Sequence, residues 1–148
     1  MEIGILVYSE TGHTISVIDA FKKANEASHV IDIFRISTNA SKTSISNIPT
    51  TIKKYERLII AGPVQGFSLC APLILAIKEI GDFGDKKMDI LLTQHFRWAA
   101  LGGNRALRQA QTEIIFRHGN VEKSTIVHWS SRHREDQIQQ AIKLLSTF

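Results

Sequence analysis

Ile5-Leu6-Val7-Tyr8-Ser9-Glu10-Thr11-Gly12-His13-Thr14 runs from an apolar strand, through a hydroxyl-rich turn with one glycine, directly into a helical pattern. At such a junction the first-turn N–H groups lack an intrahelical partner and the positive end of the helix dipole faces the turn, so an anion is held without a lysine. Ser9, Thr11 and Thr14 add hydroxyl donors. Neither G-x-x-x-x-G-K-[ST] nor G-x-G-x-x-G occurs in the chain, so the turn reads as a cradle for a different phosphorylated ligand.

Outward from this turn, apolar runs alternate with helical patterns, as in a parallel sheet covered on both faces. Ile3–Tyr8 is the first strand, and Thr14–Ala27 a helix with Val17, Ile18, Phe21 and Ala24 on one side. Val30–Ile36 is the second strand. Residues 37–53, rich in Ser, Thr and Asn, read as a loop with at most a short helix. Leu58–Ala61 is the third strand and stops at Gly62-Pro63; a helix follows from Pro72 to about Ile80, with Gly81 as its stop. Met88–Thr93 is the fourth strand. Asn104 is expected to cap a helix through Phe116 that Gly119-Asn120 ends. Val121–His128, more polar, suits an edge strand, and Arg134–Ser146 closes the chain as a helix. This order predicts one domain over residues 1–148: an α/β fold of three layers, doubly wound around a five-stranded parallel sheet of order 2-1-3-4-5.

Composition agrees with a single domain, since 148 residues with 43% apolar content bury a core without staples. The lone cysteine, Cys70, excludes a disulfide framework and, with no apolar leader or membrane-length run, sets the expectation of a soluble protein in a reducing cytoplasm. As a nucleophile Cys70 fails, because the C-x5-R phosphatase pattern needs arginine where Ala76 stands. A receiver domain fails too, with Tyr8 and Ser9 where a magnesium-binding acidic cluster belongs, and the six histidines lack a zinc-like pair. The formal charge of +4 suits an anionic ligand or partner without arguing for nucleic acid.

In the predicted topology ligands collect at the carboxyl ends of the strands around the switch point between strands one and three. Three unusual loops meet there. Beside the first, Gly62-Pro63-Val64-Gln65-Gly66-Phe67 combines glycines with an aromatic ring, and Gln94-His95-Phe96-Arg97-Trp98 leads to the pair Gly102-Gly103. Aromatics from two loops sandwiching a flat heterocycle, with the first loop on its phosphate, describe flavin mononucleotide (FMN). Phe67, Phe96 and Trp98 have the alternative of packing loops onto the domain. Trp129 reads as structural or at the rim, and Arg132-His133-Arg134 as a solvated charge run.

On Ser9–Thr14, the Gly62-Pro63 to Phe67 loop and the aromatic-to-glycine third loop, the chain resembles the flavodoxin-like family along its whole length. The resemblance implies noncovalent FMN and electron transfer at its ring. It places phosphate contacts at Ser9, Thr11, Gly12, His13 and Thr14 and ring contacts at Pro63, Gly66, Phe67, Phe96 and Trp98, with Glu10, Val64, Gln94, His95, Gly102 and Gly103 as further cofactor-binding residues of the same loops. No catalytic side chain and no metal is expected. Soluble members are usually acidic, whereas this chain has a pI near 9.4. The expected role is an electron-transfer protein, with an FMN-dependent NAD(P)H reductase of a quinone or similar small acceptor, or a flavin-free binding module, as alternatives. Expected partners are a redox protein or a small-molecule acceptor, with a homodimer as an option, and neither nucleic acid nor membrane.

Overall fold

The computed structural model describes residues 1–148. Its elements follow as β1 (Glu2–Val7), α1 (His13–Asn25), β2 (Val30–Arg35), β3 (Ser37–Thr38), β4 (Ile45–Ser46), β5 (Arg57–Gln65), β6 (Ser68–Leu69), α2 (Ala71–Ile80), β7 (Lys87–Gln94), α3 (Gly103–Phe116), β8 (Asn120–His128) and α4 (Arg134–Leu145). The five long strands pair in parallel in the order β2-β1-β5-β7-β8, which is the expected 2-1-3-4-5 winding.

Strand alternation divides the core between the two faces of the sheet. Ile3, Ile5, Val7, Ile59, Ala61 and Leu91 meet Val17, Ile18 and Phe21 of α1 and Ile138, Ala141, Ile142 and Leu145 of α4. Leu6, Leu58, Ile60, Ile90 and Leu92 meet Leu73, Ala76 and Ile77 of α2 and Ala106, Ala110 and Ile114 of α3. With both faces covered, the three central strands are buried along most of their length and mainly apolar, Asp89 in β7 being a charged exception. No helix is long and apolar enough to cross a membrane.

Four local expectations are corrected. β5 does not stop at Gly62-Pro63 but continues to Gln65. Ala61 turns its carbonyl toward β1, where Tyr8 N–H donates to it at 3.0 Å; Pro63 faces the same side two residues on, where β1 has already ended. The missing proline N–H therefore breaks no ladder bond. The 37–53 stretch holds no helix but the small antiparallel pair β3–β4, its connection closed by Asn39 Oδ1 accepting from the N–H groups of Thr43 and Ser44. Asn104 lies inside α3, whose N-cap is Gly102 in the left-handed region at φ 106°. Beyond that helix His118, at φ 61°, makes the left-handed turn, and Gly119 is needed because a Cβ there would meet the Met88 sulfur at 2.8 Å.

At the amino ends of the central strands sits an ionic cluster. Arg57 (3% exposed) donates to Asp89 (fully buried) at 2.9 Å and to Glu122 at 2.7 Å, and Lys123 lies 3.7 Å from the second Asp89 oxygen. A bulge in β8 at Glu122 brings Lys123 level with Asp89. Burial pushes the Asp89 carboxyl above its usual range despite both cations. A carboxyl raised by folding binds more protons in the folded state, so its contribution to stability is lost as pH rises through the folded value. Arg57→Leu leaves that carboxylate without its main partner and is expected to cost about 3–5 kcal/mol at neutral pH. Urea titrations should show the deficit narrowing as pH is lowered toward the carboxyl range; a deficit independent of pH would separate Asp89 from the effect.

Candidate functional site

The first loop is a run of unsatisfied donors. Gly12 adopts φ 88° as the N-cap of α1, a left-handed conformation suited to glycine. The backbone N–H groups of Ser9, Glu10, Thr11 and Gly12 donate to nothing in the protein, and those of His13 and Thr14 have no intrahelical carbonyl to reach. Only Ile15 N–H is capped, by Ser9 Oγ at 3.3 Å. Space above Gly12 is open, with no atom within 4 Å of where a Cβ would stand. Consecutive N–H groups around a left-handed residue at a helix start form an anion-binding concavity.

The side chains of this loop divide by role. Thr11 is exposed, whereas Thr14 is 1% exposed and its hydroxyl lies 2.7 Å from that of Thr93, tying the loop to β7. Glu10 is drawn sideways. Lys42 at 2.8 Å, Tyr8 OH donating at 2.7 Å and Gln65 Nε2 donating at 2.8 Å hold it, and the Lys42 bond first, then Tyr8, lower its pKa. The one acid of the loop is thus neutralised away from the N–H groups.

The second loop is a two-residue hairpin between β5 and β6, with Val64 opposite Leu69 and Gln65 opposite Ser68. Gly66 at φ 57° and Phe67 at φ 61° make its turn, the pattern of a type I′ hairpin. A phenylalanine in the left-handed region is strained, and persists only where its surroundings hold it. Gly102 supplies that hold. Its Cα faces the Phe67 backbone so closely that a Cβ would stand 2.5 Å from Phe67 Cα. Phe67 is left 55% exposed, its phenyl ring parallel to that of Phe96, with centroids 6.1 Å apart and an interplanar angle of 1°.

In the third loop Gln94 is buried and donates to Leu101 O at 2.7 Å, while its Oε1 has no partner and packs against Gly103. Val64, Gly66, Phe67, Gln94, His95, Phe96 and Leu101 enclose a cavity of about 110 Å³. Trp98 stands apart from the phenyl pair, exposed, with the Arg97 guanidinium 4.8 Å over its ring. Cys70 is buried, its thiol pushed up to about 12 by burial, as suits a packing residue.

Sequence reading left out a fourth loop, the one after β8. Trp129 N–H donates to Gln94 O at 2.7 Å and Ser130 N–H to His95 O at 3.0 Å, so this segment continues the sheet beside the third loop. The Trp129 ring then stacks on His13 at 4.1 Å and 12°, and Arg134 lies 4.8 Å over the same indole. Burial first, then the charges of Arg134 and His95, hold the His13 imidazole below its ordinary value. The signal available was Trp129 directly after the fifth strand, since every strand's carboxyl end faces the site.

The residues present suit a phosphorylated planar ligand: an anion-binding concavity, and beside it two exposed parallel phenyl rings. An intercalated ring system needs about 7 Å between its neighbours, two contacts of about 3.5 Å, so the phenyl pair, with centroids 6.1 Å apart, would have to move apart to admit one.

No protein-family model matches the chain, and no curated protein sequence matches it. Among solved structures it is similar to a flavoprotein in complex with FMN from Lactobacillus acidophilus, with 10% identity, TM-score 0.70, and 94% of this chain and 97% of that one covered. A Fusobacterium nucleatum flavodoxin bound to flavin mononucleotide matches at 16% identity and TM-score 0.65, over 97% and 96% of the two chains. An NAD(P)H:quinone oxidoreductase from Methanothermobacter marburgensis matches at 16% identity and TM-score 0.64, over 97% and 94%. The chain has the flavodoxin-like fold.

Gly102→Ala tests the hold on Phe67. The new methyl group collides with backbone rather than with a flexible side chain, so we expect a loss of about 1–3 kcal/mol and displacement of the Gly66-Phe67 turn. Amide NMR shifts concentrated at residues 65–69 check it, and unchanged shifts there would detach the turn from Gly102.

Proposed function

We propose that this chain binds one FMN without a covalent bond and serves as an electron-transfer protein. The observation that carries the reading is the run of unpartnered N–H groups from Ser9 to Gly12 at the start of α1, beside the parallel rings of Phe67 and Phe96. The FMN named for two of the similar structures supports it.

When bound, FMN supplies one- and two-electron redox chemistry at its ring. The chain's part is to bind and orient. First-loop N–H groups and the Thr11 hydroxyl would hold the phosphate, and the α1 dipole would favour its negative charge without a lysine. Phe67 and Phe96 would cover the ring, with the Gly66-Phe67 backbone, fixed by Gly102, beside it. The cytoplasm is the proposed compartment, supported by a chain whose single, buried cysteine leaves no disulfide pair.

A second reading is favoured by the Methanothermobacter oxidoreductase among the similar structures: FMN-dependent reduction of a quinone or similar acceptor by NAD(P)H. Steady-state NADPH oxidation without a partner protein would select it over the carrier.

Titration of the purified protein with FMN should saturate at one per chain with a perturbed flavin spectrum. Thr11→Val removes one hydrogen bond to a charged group, worth roughly 1.5–3 kcal/mol, and should weaken FMN at least about tenfold while leaving riboflavin unchanged. Equal weakening of both would remove the phosphate from the first loop. Phe96→Ala should brighten the fluorescence of bound flavin by removing a stacked quencher, and no change would move the ring elsewhere.

A further inference from the structure

Arginines in this chain divide by the end of the sheet on which they sit. Arg57 and Arg117, at the amino end, are both paired with acids. At the carboxyl end Arg35 closes β2, Arg97 lies in the loop after β7, Arg105 and Arg108 in the opening turns of α3, and Arg132 and Arg134 around the start of α4. None of these six makes a salt bridge. Residues 90–112 and 123–134 contain no acid at all. Glu10 is already held by Lys42, which leaves only Glu135 and Asp136, in the first turn of α4, to oppose the cations there.

The width of this cationic face decides its occupant. Arg35 follows one edge strand and Arg132 the other, and five strands at about 4.8 Å spacing separate them by roughly 19 Å. A small anion engages one or two guanidinium groups, whereas a row of this width matches a protein face of about 800 Å² per partner. Its middle is apolar and exposed, with Phe67, Phe96, Trp98 and Leu101. An apolar centre rimmed by arginines is the anatomy of a docking site. Beside Phe67 lies a groove of about 410 Å³ that Arg105 and Arg108 line from one face of α3.

We propose that the carboxyl-end face is the docking surface for an acidic redox protein, with Arg105 and Arg108 as the anchors that seat partner carboxylates against Phe67. This rests on the FMN reading, which puts the flavin ring at the centre of the same face. A partner seated there brings its redox centre over the ring, and one electron passes from the reduced centre to the oxidised flavin.

Stopped-flow reduction of the FMN-loaded protein by a reduced, acidic two-iron ferredoxin tests the surface, with photoreduced FMN-loaded protein and oxidised cytochrome c, a basic protein, as the opposite-sign probe. The ferredoxin rate should fall at least about tenfold between about 10 mM and about 300 mM salt, and the cytochrome rate should not fall. Arg105→Gln/Arg108→Gln should lower the low-salt ferredoxin rate at least about fivefold, whereas Lys78→Gln/Lys143→Gln, the same charge change near the amino end of the sheet, should lower it less than about twofold. Equal effects of the two pairs, or a rate flat in salt, would overturn the proposal while leaving FMN binding intact. So would tighter binding to a DNA duplex than to ferredoxin at equal salt, which reassigns the arginines to phosphate backbone. A chain that takes up no FMN at all fails the earlier reading first, and the docking proposal with it.

Discussion

The parallel pairing of β1 between β2 and β5 is the constraint from which the rest follows. The chain leaves β1 along one face of the sheet through α1 and leaves β5 along the other through α2, because right-handed crossovers to opposite neighbours demand opposite faces. Two loops that diverge in this way leave a gap that neither backbone fills. The N–H groups of Ser9–Gly12 therefore find no carbonyl, although the strand just before them is paired on both sides and buried from Ile3 onward. The row of unpartnered N–H groups is the direct result of how the sheet is wound.

Around that gap the structure spends contacts on holding backbone rather than on presenting catalytic side chains. Thr14 is turned inward to Thr93, Glu10 sideways to Lys42 and Gln65, and Phe67 is kept in a strained turn by the absent Cβ of Gly102. Such an arrangement suits binding and orienting a group that carries its own chemistry. Electrostatics follow the same division. The amino end buries the Arg57–Asp89 pair within the core, with Arg57 Nε and Asp89 Oδ2 left without a hydrogen bond, while the carboxyl end leaves five of its six arginines exposed and the sixth, Arg134, half-buried over Trp129. One fold thus uses the same residue type for cohesion at one end and for a long-range field at the other.

Strand order, the two core faces and the glycine turn that opens α1 were legible in the sequence because each depends on short-range patterns: alternation within Ile3–Val7, helical spacing from Val17 to Phe21, and a glycine just before a helix. The edge character of Val121–His128 was legible in its polarity. What was misread lay where local residue preference yields to a distant partner. Gly62-Pro63 looks like a strand stop, yet Pro63 sits past the end of β1 and loses no hydrogen bond there. Asn104 looks like a helix cap, yet Gly102 holds that place because only a residue without a side chain fits against Phe67.

By itself, then, the sequence determined which segments are strands and helices, the winding of the sheet and the chemical character of the first loop, because the side-chain period and the turn residues are written locally. Only the tertiary structure decided that Phe67 and Phe96 lie parallel, that Trp129 stacks on His13, and that six arginines share one face without an acid among their partners. Those are distances between residues far apart in the chain. They are set by the packing of loops on a finished sheet, which no local pattern records.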